Sequence, residues 1–293
     1  MRGRFRDVSK SARIVSQPIQ SRSCRGEVLE DSLERNLVRC SALPLRDARC
    51  DQKVLGKFPQ SSCFRDPSVT RADSIKAVFW IVSIGALLFL SAGTLDWASA
   101  WIFMAEFVIG GLAVTLWLAW RDPALLKERM GGPFQKGQAF WDKVFMAFII
   151  VVWFGWLVLM ALDAKRWNLS HMPEALKYAG AVLIPIGFSI VWLTFRENSF
   201  AAPVIKIQEE RGQRVISTGP YRIVRHPMYA GGILYMIGIP LLLGSWLGLL
   251  VLPLILGALS VRIFLEEDVL RKGLPGYGDY AARVRYRLIP GVW

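Results

Sequence analysis

Cysteine is absent from residues 64–293, and histidine occurs only twice in the whole chain. The four cysteines lie near the N-terminus, and their spacing fits neither a zinc site nor a Cys-x-x-Cys motif: Cys24, Cys40, Cys50 and Cys63. The remaining chain therefore offers no thiol nucleophile and no disulfide framework. No Ser-His-Asp pattern for nucleophilic catalysis stands out either, and we expect no bound metal.

Strand-length segments of alternating apolar and polar residues do not recur, which argues against a β-sheet protein. Hydrophobic residues instead make up 53% of the 293 residues and gather in long runs. A transmembrane helix needs about 20 apolar residues. Six runs approach or exceed that length: Ala77 to Leu95, Trp97 to Trp120, Val144 to Leu162, Tyr178 to Phe195, Met228 to Leu243 and Trp246 to Leu265.

The last two runs are short for a pair of spans, and only Gly244 and Ser245 separate them, which predicts a tight helical hairpin. We therefore expect an all-α integral membrane bundle with five or six transmembrane helices and a C-terminal hairpin. A soluble helical bundle with a very apolar core is the alternative.

Residues 1–72 contain more basic than acidic residues and no apolar run of signal-peptide length. We interpret them as a largely disordered basic tail. The Arg and Ser content is loosely that of a transit peptide, and an upstream start codon chosen in error explains the segment equally well. The predicted organisation is this tail, transmembrane helices over residues 73–200, and a C-terminal region over residues 201–293 with a cofactor site.

The formal net charge is +13, and the basic residues gather in alternate loops. Because Lys and Arg favour the cytoplasmic side, we expect the tail, the loop near residues 121–143, the loop 196–225 and the C-terminus to be cytoplasmic. The lipid bilayer is the expected partner. A nucleic-acid partner is not indicated, because no basic helix or aromatic platform in a soluble domain accompanies the charge.

One polar motif, "GPYRIVRHPMYAGG", stands at the predicted start of the fifth span. Pro227 fits the first turn of a helix, where its missing N–H costs nothing; a plain helix start would explain this residue alone. It does not explain His226 beside Arg225. The free N–H groups of a helix N-terminus, an imidazole and a guanidinium together form a polar pocket suited to a carboxylate.

The second polar motif, "VRIFLEEDVLRK", lies at the end of the sixth span. Arg262 and Glu266 are four residues apart and share a helix face. Arg262 stands nearly one turn inside the apolar run, where an unpaired charge is costly. Glu267 and Asp268 also suit an ordinary charged helix end. The hairpin returns this motif to the side of the membrane where His226 lies.

From Gln208 to the C-terminus the chain resembles the isoprenylcysteine carboxyl methyltransferase family and the related phospholipid N-methyltransferases. The resemblance rests on "GQRVISTGPYRIVRHPMYAGG", "RIFLEED" and "GYGDYAARVRYRLIPGVW". It implies a membrane methyltransferase that uses S-adenosyl-L-methionine, with a cytoplasmic cofactor pocket. The cofactor contacts that it implies are Gln208, Gln213, Arg214, Val215, Ile216, Tyr221, His226, Pro227, Met228, Tyr229 and Glu266.

The resemblance also implies a lipophilic methyl acceptor, which Arg262 contacts. A carboxylate acceptor needs no base, and Arg262 could orient it. An amine acceptor must lose a proton, and Glu267 is a conceivable base. The sequence leaves both acceptors open, and it leaves the oligomeric state open as well. Family members often have a small residue where this chain has Met228, and this difference also bears on the identity of the acceptor.

Two other functions fit parts of the sequence. Membrane sterol and steroid reductases share a similar Arg-His-Pro element and bind NADPH, although they usually continue with Asn-Tyr where this chain has Met228 and Tyr229. A non-catalytic membrane scaffold would use Arg262 and Glu266 as a structural ion pair.

Overall fold

The computed structural model describes residues 71–293, and side chains from residue 74 onward. The predicted tail and its four cysteines lie outside the described residues, apart from Arg71 and Ala72, with which the first helix begins. All regular structure in residues 71–293 is helical. The helices are α1 (Arg71–Ala92), α2 (Ala98–Arg121), α3 (Pro123–Met130), α4 (Phe140–Ala161), α5 (Glu174–Glu197), α6 (Pro227–Leu243), α7 (Trp246–Gly273) and α8 (Tyr277–Arg283).

Five of these helices, α1, α2, α4, α5 and α7, are long and apolar enough to cross a bilayer. The helix α6 is apolar but has only 17 residues. The predicted multi-pass helical membrane protein is therefore confirmed, with five long spans and one short apolar helix. One expectation was wrong in detail: the last span is not short, because α7 continues through the acidic motif and reaches 28 residues.

The predicted hairpin between α6 and α7 is present. Gly244 adopts φ 83°, a left-handed conformation that glycine adopts without steric cost. Ser245 then caps α7 by accepting a hydrogen bond from the Gly248 N–H. The Ser245 hydroxyl also donates a 2.5 Å hydrogen bond to Asp163, a fully buried carboxylate at the end of α4. The turn is thereby anchored to a neighbouring span.

Helices α5 and α6 make the closest helix–helix contact in residues 71–293. Two glycines seven residues apart on each helix face each other, Gly180 and Gly187 on α5 and Gly231 and Gly238 on α6. A Cβ built on Gly231 would lie 2.8 Å from the Gly187 carbonyl oxygen, and one on Gly238 would lie 2.9 Å from the Gly180 carbonyl oxygen. Small residues let membrane helices pack backbone to backbone. This contact fixes the position of α6, which begins at the His-Pro motif.

The segment after α7 folds back onto the start of α6. The N–H groups of Arg225 and His226 donate hydrogen bonds of 2.9 Å to the carbonyl oxygens of Tyr286 and Arg287. The Tyr280 hydroxyl in α8 donates to the Tyr221 carbonyl oxygen. The C-terminal residues therefore hold the polar motif in place at the end of the bundle where α6 begins and α7 ends.

Candidate active site

A cavity opens at the start of α6, between the loop that follows α5 and the end of α7. The cavity and its mouth contain about 800 Å³ of empty space. The loop between α5 and α6 supplies most of its wall, and α7 and α8 close it. Its lining residues are Asn198, Phe200, Ala201, Ala202, Val204, Ile205, Lys206, Gln213, Arg214, Val215, Ile216, Tyr221, Arg225, His226, Met228, Tyr229, Glu266, Leu270, Leu274, Tyr277 and Tyr280. We call it the polar cavity.

Three tyrosines from two segments meet in this wall, Tyr221 from the loop before α6 and Tyr277 and Tyr280 from α8. The Tyr221 hydroxyl accepts a 2.7 Å hydrogen bond from Asn198. Burial raises the pKa of Tyr221, Tyr277 and Tyr280 above the ordinary tyrosine value, so all three are neutral at physiological pH. The Tyr277 hydroxyl is buried and has no hydrogen-bond partner among the described residues. A buried polar group without a partner is costly, and a polar ligand in the cavity would supply one.

Glu267 is the centre of a buried ion cluster. Its carboxylate lies 2.9 Å from Arg225 Nε, 3.3 Å from His226 Nε2 and 3.2 Å from Arg287 Nη2. The side chain is 3% exposed and lines neither this cavity nor the apolar one described below. The cluster joins α7 to the motif before α6 and to the C-terminal residues, so Glu267 organises the wall of the polar cavity.

Tyr229 and Glu266 form a second connection between α6 and α7. The Tyr229 hydroxyl donates a 2.6 Å hydrogen bond to Glu266 Oε2. The Tyr229 ring stacks on the His226 imidazole, with 5.6 Å between centroids. Both Tyr229 and Glu266 line the polar cavity, so one carboxylate and one imidazole are held at fixed positions on its wall.

A second cavity, which we call the apolar cavity, lies between α1, α4, α6 and α7 and also has Tyr229 in its wall. It contains about 830 Å³ of empty space together with its opening. Its walls are aromatic and aliphatic except at Tyr229 and Arg262: Trp80, Phe145, Met146, Ile149, Ile150, Trp153, Phe154, Tyr229, Gly232, Met236, Ile255, Leu259 and Arg262. Tyr229 thus lines both cavities.

Arg262 provides the one charged group in the lining of the apolar cavity. Its guanidinium lies over the rings of Phe145 and Tyr229, at 5.2 and 5.9 Å from their centroids. It forms an ion pair with Asp142 on α4 at 3.1 Å and donates to the Pro203 carbonyl oxygen. The structure therefore pairs Arg262 with Asp142 and Glu266 with Tyr229. The ion pair between Arg262 and Glu266, on which the scaffold hypothesis depended, does not form.

The loop between α5 and α6 is fastened by its own side chains. Gln208 is almost fully buried; its amide donates to the Phe200 carbonyl oxygen, and its N–H donates to the Gln213 side chain. Arg129 on α3 donates to the Ala201 carbonyl oxygen at 2.8 Å and contacts Met228 Sδ at 3.9 Å. Burial lowers the pKa of Arg129 to about 10, so it is still a cation at neutral pH.

Most residues predicted as cofactor contacts line the polar cavity: Gln213, Arg214, Val215, Ile216, Tyr221, His226, Met228, Tyr229 and Glu266. Two of the predicted contacts do not line the cavity. The Gln208 side chain donates a hydrogen bond within the loop, and Pro227 forms the first turn of α6. Of the two predicted catalytic residues, Arg262 lines the apolar cavity, whereas Glu267 is paired with Arg225 and Arg287 and lines neither cavity.

Sequence reasoning missed three contributors, Asp142, Tyr277 and Tyr280. Asp142 lies at the start of α4, 120 residues before its partner Arg262, and its surroundings in the sequence are those of a charged helix start. The two tyrosines belong to "GYGDYAARVRYRLIPGVW", a segment that the resemblance already included. Their spacing could have suggested a shared helix face, but nothing local indicated that this face closes a cavity.

The model of the phospholipid methyltransferase family matches residues 176–275. The matched segment is about a third of the chain and contains α5, the loop that lines the polar cavity, α6 and α7. In the other comparisons, neither a curated protein nor a solved structure matches the chain. The match indicates a membrane methyltransferase, which is the broader part of what the sequence resemblance implied.

Proposed function

We propose that this protein transfers a methyl group from S-adenosyl-L-methionine to a lipophilic acceptor at the cytoplasmic face of a membrane. The observation that carries the proposal is a pair of cavities of opposite character that share Tyr229 in their walls. One is polar and formed largely by the loop before α6; the other is apolar and lies between the spans. A polar cofactor and a lipid-like acceptor would thereby meet at one side chain.

The residues of the polar cavity fit this cofactor. The Glu266 carboxylate is an acceptor for ribose hydroxyl or amino groups. The buried, unpartnered Tyr277 hydroxyl can bind a further polar group. The free N–H groups in the first turn of α6, beside His226, favour the carboxylate of the methionine moiety. Tyrosine rings on the wall can contact the adenine base and the sulfonium.

The cofactor, when bound, supplies a methyl group already activated on a positively charged sulfur. The protein has to bring the acceptor atom into line with the carbon–sulfur bond and to exclude water. The acceptor's oxygen or nitrogen then forms a bond to the methyl carbon as the carbon–sulfur bond breaks and the electron pair stays on sulfur. An oxygen acceptor enters as the carboxylate; an amine acceptor must also release a proton.

Arg262 stands where the apolar cavity reaches Tyr229, and it is suited to orient the polar end of the acceptor. The aromatic and aliphatic walls of the apolar cavity suit the hydrocarbon part of such an acceptor. The acceptor classes that fit are an isoprenylated cysteine with a free carboxylate and a lipid with a reactive head group. Glu267 is less suited to serve as the base, because its carboxylate is paired with Arg225 and Arg287 and lines neither cavity.

The experiment that tests the proposal is a titration of the detergent-purified protein with S-adenosyl-L-methionine and, separately, with NADPH. We expect binding of the first and none of the second. Methyl transfer from labelled cofactor is then measured to two acceptors, N-acetyl-S-farnesylcysteine and phosphatidylethanolamine. NADPH binding alone would favour the reductase hypothesis, and binding of neither would favour the scaffold.

A further inference from the structure

Asp142 connects the apolar cavity to the loop of the polar cavity. It is fully buried at the start of α4. Its Oδ1 accepts from the Arg262 guanidinium, at 3.1 Å. Its Oδ2 accepts from the Ile205 N–H at 3.0 Å and from the Gln138 amide at 2.8 Å. One carboxylate therefore binds the arginine of one cavity and the loop backbone of the other.

We propose that Asp142 is a positioning residue that couples cofactor binding to acceptor binding, an inference that rests on the proposed function. Ile205 and its neighbours Val204 and Lys206 line the polar cavity. A cofactor that orders this loop fixes the Ile205 N–H. This holds the Asp142 carboxylate and, through it, the Arg262 guanidinium that faces the acceptor.

The geometry requires a carboxylate at this position. Each contact that its two oxygens make with the described residues is with a hydrogen-bond donor. Two nitrogens of Arg262 approach Oδ1, and the Gln138 amide and the Ile205 N–H approach Oδ2. An asparagine would turn its NH₂ group toward donors in either orientation. Asp142→Asn therefore keeps the shape of the side chain but breaks the connection on one side or the other.

The chain supplies a matched control in Asp163. It is equally buried, and its Oδ2 likewise accepts several hydrogen bonds, from Ser170, from Ser245 and from the Leu247 N–H. It lies at the opposite end of α4, at the hairpin turn, away from both cavities. Asp163→Asn should lower the melting temperature without affecting acceptor binding.

The test compares wild type, Asp142→Asn and Asp163→Asn in detergent. Affinity for S-adenosylhomocysteine is measured by calorimetry, alone and with saturating acceptor. The KM is measured for whichever of N-acetyl-S-farnesylcysteine and phosphatidylethanolamine the wild type methylates. We expect Asp142→Asn to raise the acceptor KM by about tenfold and to abolish the mutual strengthening of the two ligands, which must be reciprocal in the wild type. Affinity for S-adenosylhomocysteine alone should stay within about twofold of the wild type, since no cofactor contact is removed.

Two results would overturn the inference while leaving the proposed function intact. One is an Asp142→Asn protein with wild-type KM and wild-type ligand coupling. The other is a change in KM that Asp163→Asn reproduces at the same loss of melting temperature, because that would reveal a general effect of stability.

Hydrogen exchange separates failure of the inference from failure of the proposed function. If the wild type methylates neither acceptor, the proposed function falls. The connection through Asp142 is then judged from backbone exchange at residues 203–207. Faster exchange there in Asp142→Asn, but not in Asp163→Asn, supports it, and unchanged exchange overturns it.

Discussion

The Tyr229 hydroxyl donates a 2.6 Å hydrogen bond to Glu266 Oε2, and the same tyrosine lines both the polar and the apolar cavity. Two helices of a hairpin are thus joined at the wall where cofactor and acceptor are proposed to meet. Its ring stacks on His226, and the Arg262 guanidinium lies 5.9 Å from the ring centroid. The residue therefore fixes the positions of both functional motifs.

Tyr229→Phe should weaken S-adenosyl-L-methionine binding by about tenfold. The change removes the hydrogen bond that the Tyr229 hydroxyl donates to the Glu266 carboxylate but keeps the packing of the ring. The measurement is calorimetry in detergent. Tyr178→Phe is the control, since Tyr178 is 70% exposed on α5 and lines neither cavity. Equal affinities for Tyr229→Phe and wild type would remove Glu266 and Tyr229 from the proposed cofactor site.

Arg262→Lys should leave cofactor affinity unchanged and reduce methyl transfer by at least about tenfold. Lysine still neutralises the buried Asp142 carboxylate, but its single ammonium cannot reproduce the fixed fork of the guanidinium. Arg262→Leu is a less informative change, because it leaves Asp142 buried without a cation and should cost about 3–5 kcal/mol of stability. Transfer rates for Arg262→Lys equal to those of wild type would show that Arg262 is structural.

Glu267→Gln tests whether Glu267 is a base or a structural centre. Loss of the buried carboxylate leaves Arg225 and Arg287 without their partner, so we expect destabilisation of about 3–5 kcal/mol. The adjacent Asp268→Asn is the control, since that exposed residue pairs with the exposed Lys272 and the change should cost less than about 1 kcal/mol. A stable Glu267→Gln protein that binds the cofactor but transfers no methyl group would instead support the base.

Adjacent glycines on α6 provide a test of the helix packing that positions the site. Gly231→Ala puts a methyl group 2.8 Å from the Gly187 carbonyl oxygen. It should cost about 1–3 kcal/mol, because backbone atoms cannot move aside cheaply. A methyl group at Gly232 meets no atom of the described residues 74–293 within 4 Å, so Gly232→Ala should be tolerated. The melting temperatures and cofactor affinities of the two variants are measured. Equal melting temperatures for Gly231→Ala and Gly232→Ala would contradict the close contact between α5 and α6.

A tag at the C-terminus and a tag within residues 131–137 should report the same side of the membrane. Both segments lie at the end of the bundle where α6 begins, since Arg129 contacts Met228 and the C-terminal residues contact His226. Their basic loops predict that this side is cytoplasmic. Accessibility of the two tags in oriented vesicles is the measurement, and opposite sides would contradict the fold.

The fold class could be predicted from the sequence because membrane helices are a local property: twenty apolar residues without charge suffice to define a span. The hairpin at Gly244 and the helix start at Pro227 followed from equally local rules. The length of α7 was misjudged, because the acidic motif marks the end of the apolar run and not the end of the hydrogen-bonded helix.

The sequence by itself determined the spans and the two polar motifs. It also supplies the glycines on α5 and α6 that let these two helices pack closely. Only the tertiary structure decided which charges pair. Arg262 binds Asp142 across 120 residues and not Glu266 four residues away, and Glu267 pairs with arginines from two separate segments, Arg225 and Arg287. The physical reason is that a buried charge must find its counter-charge within a few ångströms, and helix packing, not distance along the chain, sets which groups come that close.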